Sequence, residues 1–345
     1  MKSTITLLCL VGFLVTDITA GAEEEDFIIK TPSPIIGVLT TPLKDSGDCV
    51  TLTESNDVSD GSCFHSVYAE WLYSAGARVV AVPYDSSESQ VKHLFESLNG
   101  FLFTGGDTDI KELNSTYMKT ASLILSLVKS AHASGDYVPL WGTCMGFQTL
   151  SVLQAETPEV LISGVFDSDP IMLPLENLTD VSESRMLKGV HEMNPNVIDW
   201  ITTENMTVNL HHDGVDPKSF STNKNLRDFF NVLSTNKDRQ GRPFASTMEG
   251  KNVPVYGAQW HPERPQFEFR DDPAHRTIPH NIHTVVSMHA FASFFVNEAR
   301  KNDHKFSDPQ EELTRLLYND VPQGALGDSY RAYIFPPVSL SSNMF

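Results

Sequence analysis

Between positions 34 and 141 short apolar runs alternate with segments of helical periodicity, and that alternation leaves few ways to fold. Pro34-Ile35-Ile36-Gly37-Val38-Leu39 reads as a buried strand, followed by a helical pattern over about 65–74 that stops at Gly76. Ala77 to Val82 is a second strand, ended by Pro83. From Ser86 to Leu98, the residues Val91, Leu94, Phe95 and Leu98 recur at helical spacing, and Asn99-Gly100 closes the helix. Phe101-Leu102-Phe103 is a third strand, running into Thr104-Gly105-Gly106-Asp107. An amphipathic helix over about 117–133 leads to a fourth strand, Val138 to Trp141. Strands and helices alternating at this spacing imply a parallel sheet with right-handed crossovers and helices on both faces, a three-layer α/β fold. In such sheets chemistry collects at the carboxyl ends of the strands.

The second half predicts an antiparallel extension of the same sheet. Phe229 to Ser234, Phe244 to Met248 and Val255 to Gln259 read as strands, with turns at 238–241 and 249–250. A long helix over 283–301 buries Val286, Met288, Phe291 and Phe295. No repeat and no Pro- or Ser-rich linker interrupts the chain, so residues 23–335 are expected to form one domain, with 336–345 as a loose tail.

Ahead of that domain, residues 1–22 read as an export signal: Lys2, an apolar run from Ile5 to Val15, and Ala20-Gly21-Ala22 as a small-residue cleavage site. The run is too short to span a bilayer, and no later stretch is apolar for eighteen or more residues, so membrane insertion is not expected. A secreted or lysosomal/vacuolar destination follows. Three sequons, at Asn114, Asn177 and Asn205, agree with export. The net charge of -19 makes nucleic acids and acidic lipid surfaces poor partners. Cleavage removes Cys9 and leaves an odd number of cysteines, so at least one thiol has no partner within the chain. Cys49 and Cys63 flank a polar stretch and are candidates for a disulfide, which would leave Cys144 free.

Cys144 lies in Gly142-Thr143-Cys144-Met145-Gly146, between an apolar strand and an apolar helix. This is the G-x-nucleophile-x-G shape, a sharp strand-to-helix turn in which the glycines relieve Cβ clashes. The helix that follows points its first N–H groups at the sulfur, an arrangement that favours thiolate. The N–H of Met145, with one from Gly105 or Gly106 at the neighbouring strand end, would complete an oxyanion hole. Taken alone the pattern describes a buried structural cysteine equally well; it needs a base. Pro254 to Trp260 is an apolar strand ending in His261-Pro262-Glu263, which puts an imidazole at a strand end with a carboxylate placed to fix its tautomer.

PLWGTCMGFQ (139–148), with TGGD before it and STMEGKNVPVYGAQWHPE after it, resembles the gamma-glutamyl hydrolases, exported relatives of the class I glutamine amidotransferases. SAGARVV (74–80), FFNVL (229–233) and FFVNEARKN (294–302) match as well, and the similarity runs from about Pro34 to Phe335. The resemblance implies a class I glutamine amidotransferase-like, flavodoxin-like fold and a Cys144, His261, Glu263 site. It implies folate poly-gamma-glutamates as substrates, no metal or organic cofactor, and, by analogy with relatives, a homodimer. Asn209-Leu210-His211 matches a family segment whose His lies near the active site, so His211 is a candidate to contact substrate or assist proton transfer. Arg185 is one candidate contact for the polyanionic substrate. Two departures bear on specificity: Gln148 stands where the family usually has Glu, and Asp60 to His65 replaces a tyrosine-rich helix start. Two other functions fit the same fold, a glutaminase feeding ammonia to a synthetase and a catalytically silent folate-binding glycoprotein.

Overall fold

The computed structural model describes residues 29–46, 49, 60–324 and 331–338, so the export signal and positions 339–345 of the expected tail lie outside the described residues. The apolar runs pair as one seven-stranded sheet. In chain order its strands are β1 (Ile35–Leu39), β2 (Arg78–Val82), β3 (Gly100–Phe103), β4 (Leu140–Thr143), β5 (Phe230–Lys237), β6 (Pro243–Gly250) and β7 (Val255–Ala258). Across the sheet they run β5-β6-β7-β4-β3-β1-β2. The five from β7 to β2 are parallel neighbours, while β5 and β6 join antiparallel, which is the extension expected from the sequence.

Alternation along each parallel strand builds two cores, one per face. Leu39, Phe101, Phe103 and Leu140 pack under the helices Glu88–Ser97, Thr116–Ala133 and Met145–Ala155. Val38, Leu102, Trp141 and Tyr256 face Ser66–Ser74 and Ile282–Ala299 on the other side. The helix Glu88–Ser97 starts at a capping box, with Ser87 and Gln90 satisfying each other's backbone N–H groups.

Several elements were not evident in the sequence. Ser62–His65 is a strand, paired with Thr41–Pro42 and Arg331–Phe335 in a small second sheet, and the helix after it begins at Ser66. Cys49 is joined by a disulfide to Cys63 on the interior strand Ser62–His65, and Cys144 is free. Between Ala155 and β5 the chain forms a two-stranded pair, Ser168–Leu173 with Thr207–His211, and the helices Arg185–Met193 and Asn196–Thr203. Among the described residues no helix is long and apolar enough to cross a membrane.

Candidate active site

Three neighbouring strand ends converge. Gly105 and Gly106 follow β3, Cys144 follows β4, and His261 comes three residues after the last residue of β7. The β4 and β7 ladder pairs Gly142 with Gly257 and Thr143 with Ala258, and the N–H of Cys144 donates to the carbonyl of Ala258 at 2.8 Å. The register of two backbones thus sets where cysteine and histidine stand.

Cys144 has φ 52° and ψ -109°, the strained turn expected of a nucleophile elbow. The two flanking glycines are required by close approach. A Cβ at Gly142 would lie 2.6 Å from the carbonyl oxygen of Gly146, and one at Gly146 would lie 2.2 Å from that of Phe103. Cys144 is 6 % exposed and caps the helix Met145–Ala155, whose first N–H groups have no turn above them to satisfy.

His261 is buried, and its Nδ1 bonds Glu263 Oε1 at 2.6 Å. Its ring and the Cys144 side chain line one cavity. Burial pulls the His261 pKa down, but the Glu263 carboxylate and then the Cys144 sulfur outweigh it and bring the value to about 9. The ring is therefore protonated at neutral pH.

The two glycines expected at the oxyanion hole differ. The N–H of Gly105 donates to the Tyr68 hydroxyl at 2.8 Å and is already committed, so Gly106 is the donor left to act with Met145. Gly105 instead makes room: a Cβ there would sit 2.7 Å from the Tyr68 oxygen and 2.9 Å from His261 Cε1.

Two cavities open from Cys144. One, of about 430 Å³, is lined by Met145, Gln148, His211, His212 and a loop carrying Asp107 to Lys111. His211 is thus brought to the site. Its Nδ1–H donates to the Asp213 carbonyl at 2.7 Å, which leaves Nε2 as a buried acceptor without a partner among the described residues. Burial lowers its pKa to about 3, opposed by the Asp213 carbonyl, so the ring is neutral and suited to accept a hydrogen bond from substrate. Gln148 uses Nε2 to donate to the Asp213 carbonyl at 2.9 Å and to Gln259 Oε1 at 3.1 Å. The amide stitches the cavity wall together, whereas a carboxylate with the same surroundings would face two acceptors. The second cavity, of about 220 Å³, lies on the His261 side and includes His65, Tyr68, Arg264 and His275.

Arg185 is not at the site. It sits at the start of the helix Arg185–Met193, where its guanidinium donates to the carbonyls of Gly250, Lys251 and Val253. That turn precedes β7, at the end of the strand opposite His261, so the expectation of a substrate contact is corrected to a clasp on the β6–β7 turn. Asn114, Asn177 and Asn205 are all exposed. His65 ends the 60–65 segment singled out for its bearing on specificity, whereas Tyr68, Arg264 and His275 were missed as site residues. Only Arg264 carried a signal, by directly following His261-Pro262-Glu263. No group of three or more metal-ligating side chains clusters among the described residues.

The Peptidase C26 family pattern matches residues 34–263. The chain is 35 % identical over 340 residues to human gamma-glutamyl hydrolase, covering 97 % of this chain and 100 % of that one. It is 34 % identical over 305 residues to gamma-glutamyl hydrolase B of Dictyostelium discoideum, covering 88 % and 83 %. Gamma-glutamyl hydrolase 1 of Arabidopsis thaliana is 29 % identical over 306 residues, covering 88 % and 82 %. With a strained cysteine at the end of β4, a carboxylate-held histidine at the end of β7 and similarity across nearly its whole length, the chain belongs to the peptidase C26 family of gamma-glutamyl hydrolases.

Proposed function

We propose that this protein hydrolyses the gamma-glutamyl bonds of folate and antifolate poly-gamma-glutamates through a thioester on Cys144. The observation that carries the reading is the strained Cys144 sharing a cavity with a histidine that Glu263 holds at 2.6 Å. The thiolate attacks the side-chain carbonyl of a gamma-linked glutamyl residue, and the N–H groups of Met145 and Gly106 receive the developing oxyanion. The C–N bond then breaks while His261 delivers its proton to the leaving amine. Water adds to the thioester, His261 takes up one of its protons, and the glutamyl acid leaves as the thiolate and imidazolium are restored. Glu263 keeps the tautomer fixed throughout. His211 Nε2 is placed to accept a hydrogen bond from the acyl half of the substrate.

Residues 23–335 form one domain in this reading, delivered by the 1–22 signal to a secretory, lysosomal or vacuolar compartment with sugar on one or more of Asn114, Asn177 and Asn205. A homodimer, expected by analogy with relatives, is checked by light scattering. Cys144→Ser tests the chemistry. Mass spectrometry of products from a folate polyglutamate should show cleavage by the wild type and none by the variant, with an unchanged circular dichroism spectrum. Undiminished turnover in the variant would remove Cys144 from the mechanism.

A further inference from the structure

The two cavities that meet at Cys144 differ in chemistry, and the difference assigns a direction to the substrate. The larger one carries four carboxylates, Asp107, Asp109, Asp169 and Asp213, against a single lysine, Lys111. It also holds Met145 and the bare Nε2 of His211. His261 does not line it. His261 lines the smaller cavity, together with His65, Arg264 and His275. A general acid must reach the leaving nitrogen, so the leaving group lies on the His261 side and the acyl group on the Met145 side. In the proposed reaction the leaving group is a glutamate or a glutamyl chain, which carries at least two carboxylates.

The smaller cavity is built for such a charge. Arg264 is only 8 % exposed, and its Nε has no hydrogen-bond acceptor among the described residues; the nearest paired carboxylate oxygen, on Glu263, is 3.7 Å away. The other end of the same guanidinium is held by Glu268 at 2.5 Å, which fixes its orientation. His275 is held from behind, with Nδ1 on Asp272 at 2.8 Å and Nε2 3.5 Å from Glu268. His65 enters from the small second sheet, where it pairs with Ala332. Its pKa is depressed by burial and then by Arg264, His261, Arg270 and His275. Asp107 and Asp169 stand at the boundary shared with the larger cavity.

We infer that this cavity is the subsite for the leaving glutamate, with Arg264 Nε and His275 Nε2 binding its carboxylates. The assignment rests on the hydrolase reading for its direction, while the anion site itself stands on Arg264 and its surroundings.

The test compares two substrates that share an acyl half: gamma-glutamyl-glutamate, and gamma-glutamyl-norvalinamide, whose leaving group has no carboxylate. The wild type should favour the first in kcat/KM by roughly tenfold or more, the usual scale of a charge-assisted hydrogen bond, mainly through KM. His275→Gln and Arg264→Gln should bring the ratio of the two substrates toward one. A role confined to holding the fold would slow both substrates alike, and an unchanged ratio in both variants would overturn the assignment. Binding of free L-glutamate to the intact protein, followed by calorimetry, separates this inference from the hydrolase reading. Polyglutamate cleavage without saturable glutamate binding overturns the subsite and leaves the hydrolase standing. Glutamate binding that is lost in Arg264→Gln, in a protein that cleaves no gamma-glutamyl bond, supports the subsite and refutes the hydrolase.

Discussion

Replacing Glu263 by Gln should move the alkaline limit of activity toward neutral pH. The carboxylate sits 2.6 Å from His261 Nδ1, and it is the larger of the two charges that lift this ring, against burial, to about 9. The competent free enzyme pairs a thiolate with an imidazolium, so activity is lost as the imidazolium gives up its proton on the alkaline side. With a pKa near 9, about 97 % of the ring is protonated at pH 7.5; if the pKa falls back to about 6.5, only about 9 % is. The predicted loss from titration alone is therefore roughly tenfold at pH 7.5 and close to nothing at pH 5. Any loss of ring orientation adds a factor that does not vary with pH, so the two contributions separate. The assay is kcat/KM for gamma-glutamyl-glutamate from pH 4.5 to 9.5 for both proteins. An alkaline limb at the same pH in Glu263→Gln would refute the claim that this carboxylate sets the charge state of the site.

Gly146→Ala should abolish activity and lower stability by about 2 kcal/mol or more, because its Cβ would meet the Phe103 backbone, which has no flexible end to move; activity and urea unfolding check it. Arg185→Ala should cost about 2 kcal/mol in urea unfolding through lost hydrogen bonds to the 250–253 turn, with KM unchanged within twofold. A large rise in KM would return Arg185 to the substrate. His211 is neutral when folded, with its pKa near 3, so the unfolded chain takes up the proton first as pH falls below about 6.5. Its contribution to stability is full above that pH and is lost toward pH 3, by at most about 1.4 kcal/mol per unit. His211→Gln should accordingly flatten the dependence of the urea midpoint between pH 6.5 and 4, relative to the wild type.

The parallel half of the sheet was legible because its strands are buried on both faces and read as unbroken apolar runs between Gly, Pro and Asn punctuation. Cys144 and His261 were legible for the same reason, each standing at the end of such a run. Ser62–His65 was not, because a four-residue strand of mixed polarity has too few alternations to show a period. Arg185 illustrates a different limit. Its isolated charge suggested a ligand, but the partners that use it are carbonyls on a turn 65–68 residues away, and a backbone carbonyl leaves no trace in composition. The commitment of Gly105 was hidden likewise, since its acceptor, Tyr68, arrives from the helix between β1 and β2 in the chain. Sequence periodicity reports burial, whereas these contacts depend on which elements the topology brings together.

The ladder between β4 and β7 has a consequence for how this protein can change. Cys144 and His261 are spaced by main-chain hydrogen bonds rather than by the side chains around them. That spacing depends on chain length. Adding or deleting one residue between Val255 and His261 reverses the inward and outward facing of every position beyond it. It would turn the imidazole away from the sulfur while leaving both residues present in the chain. The strand Thr207–His211 is tied into the same geometry, because the His261 N–H donates to the Val208 carbonyl at 2.8 Å, so a change of length there would also shift the imidazole.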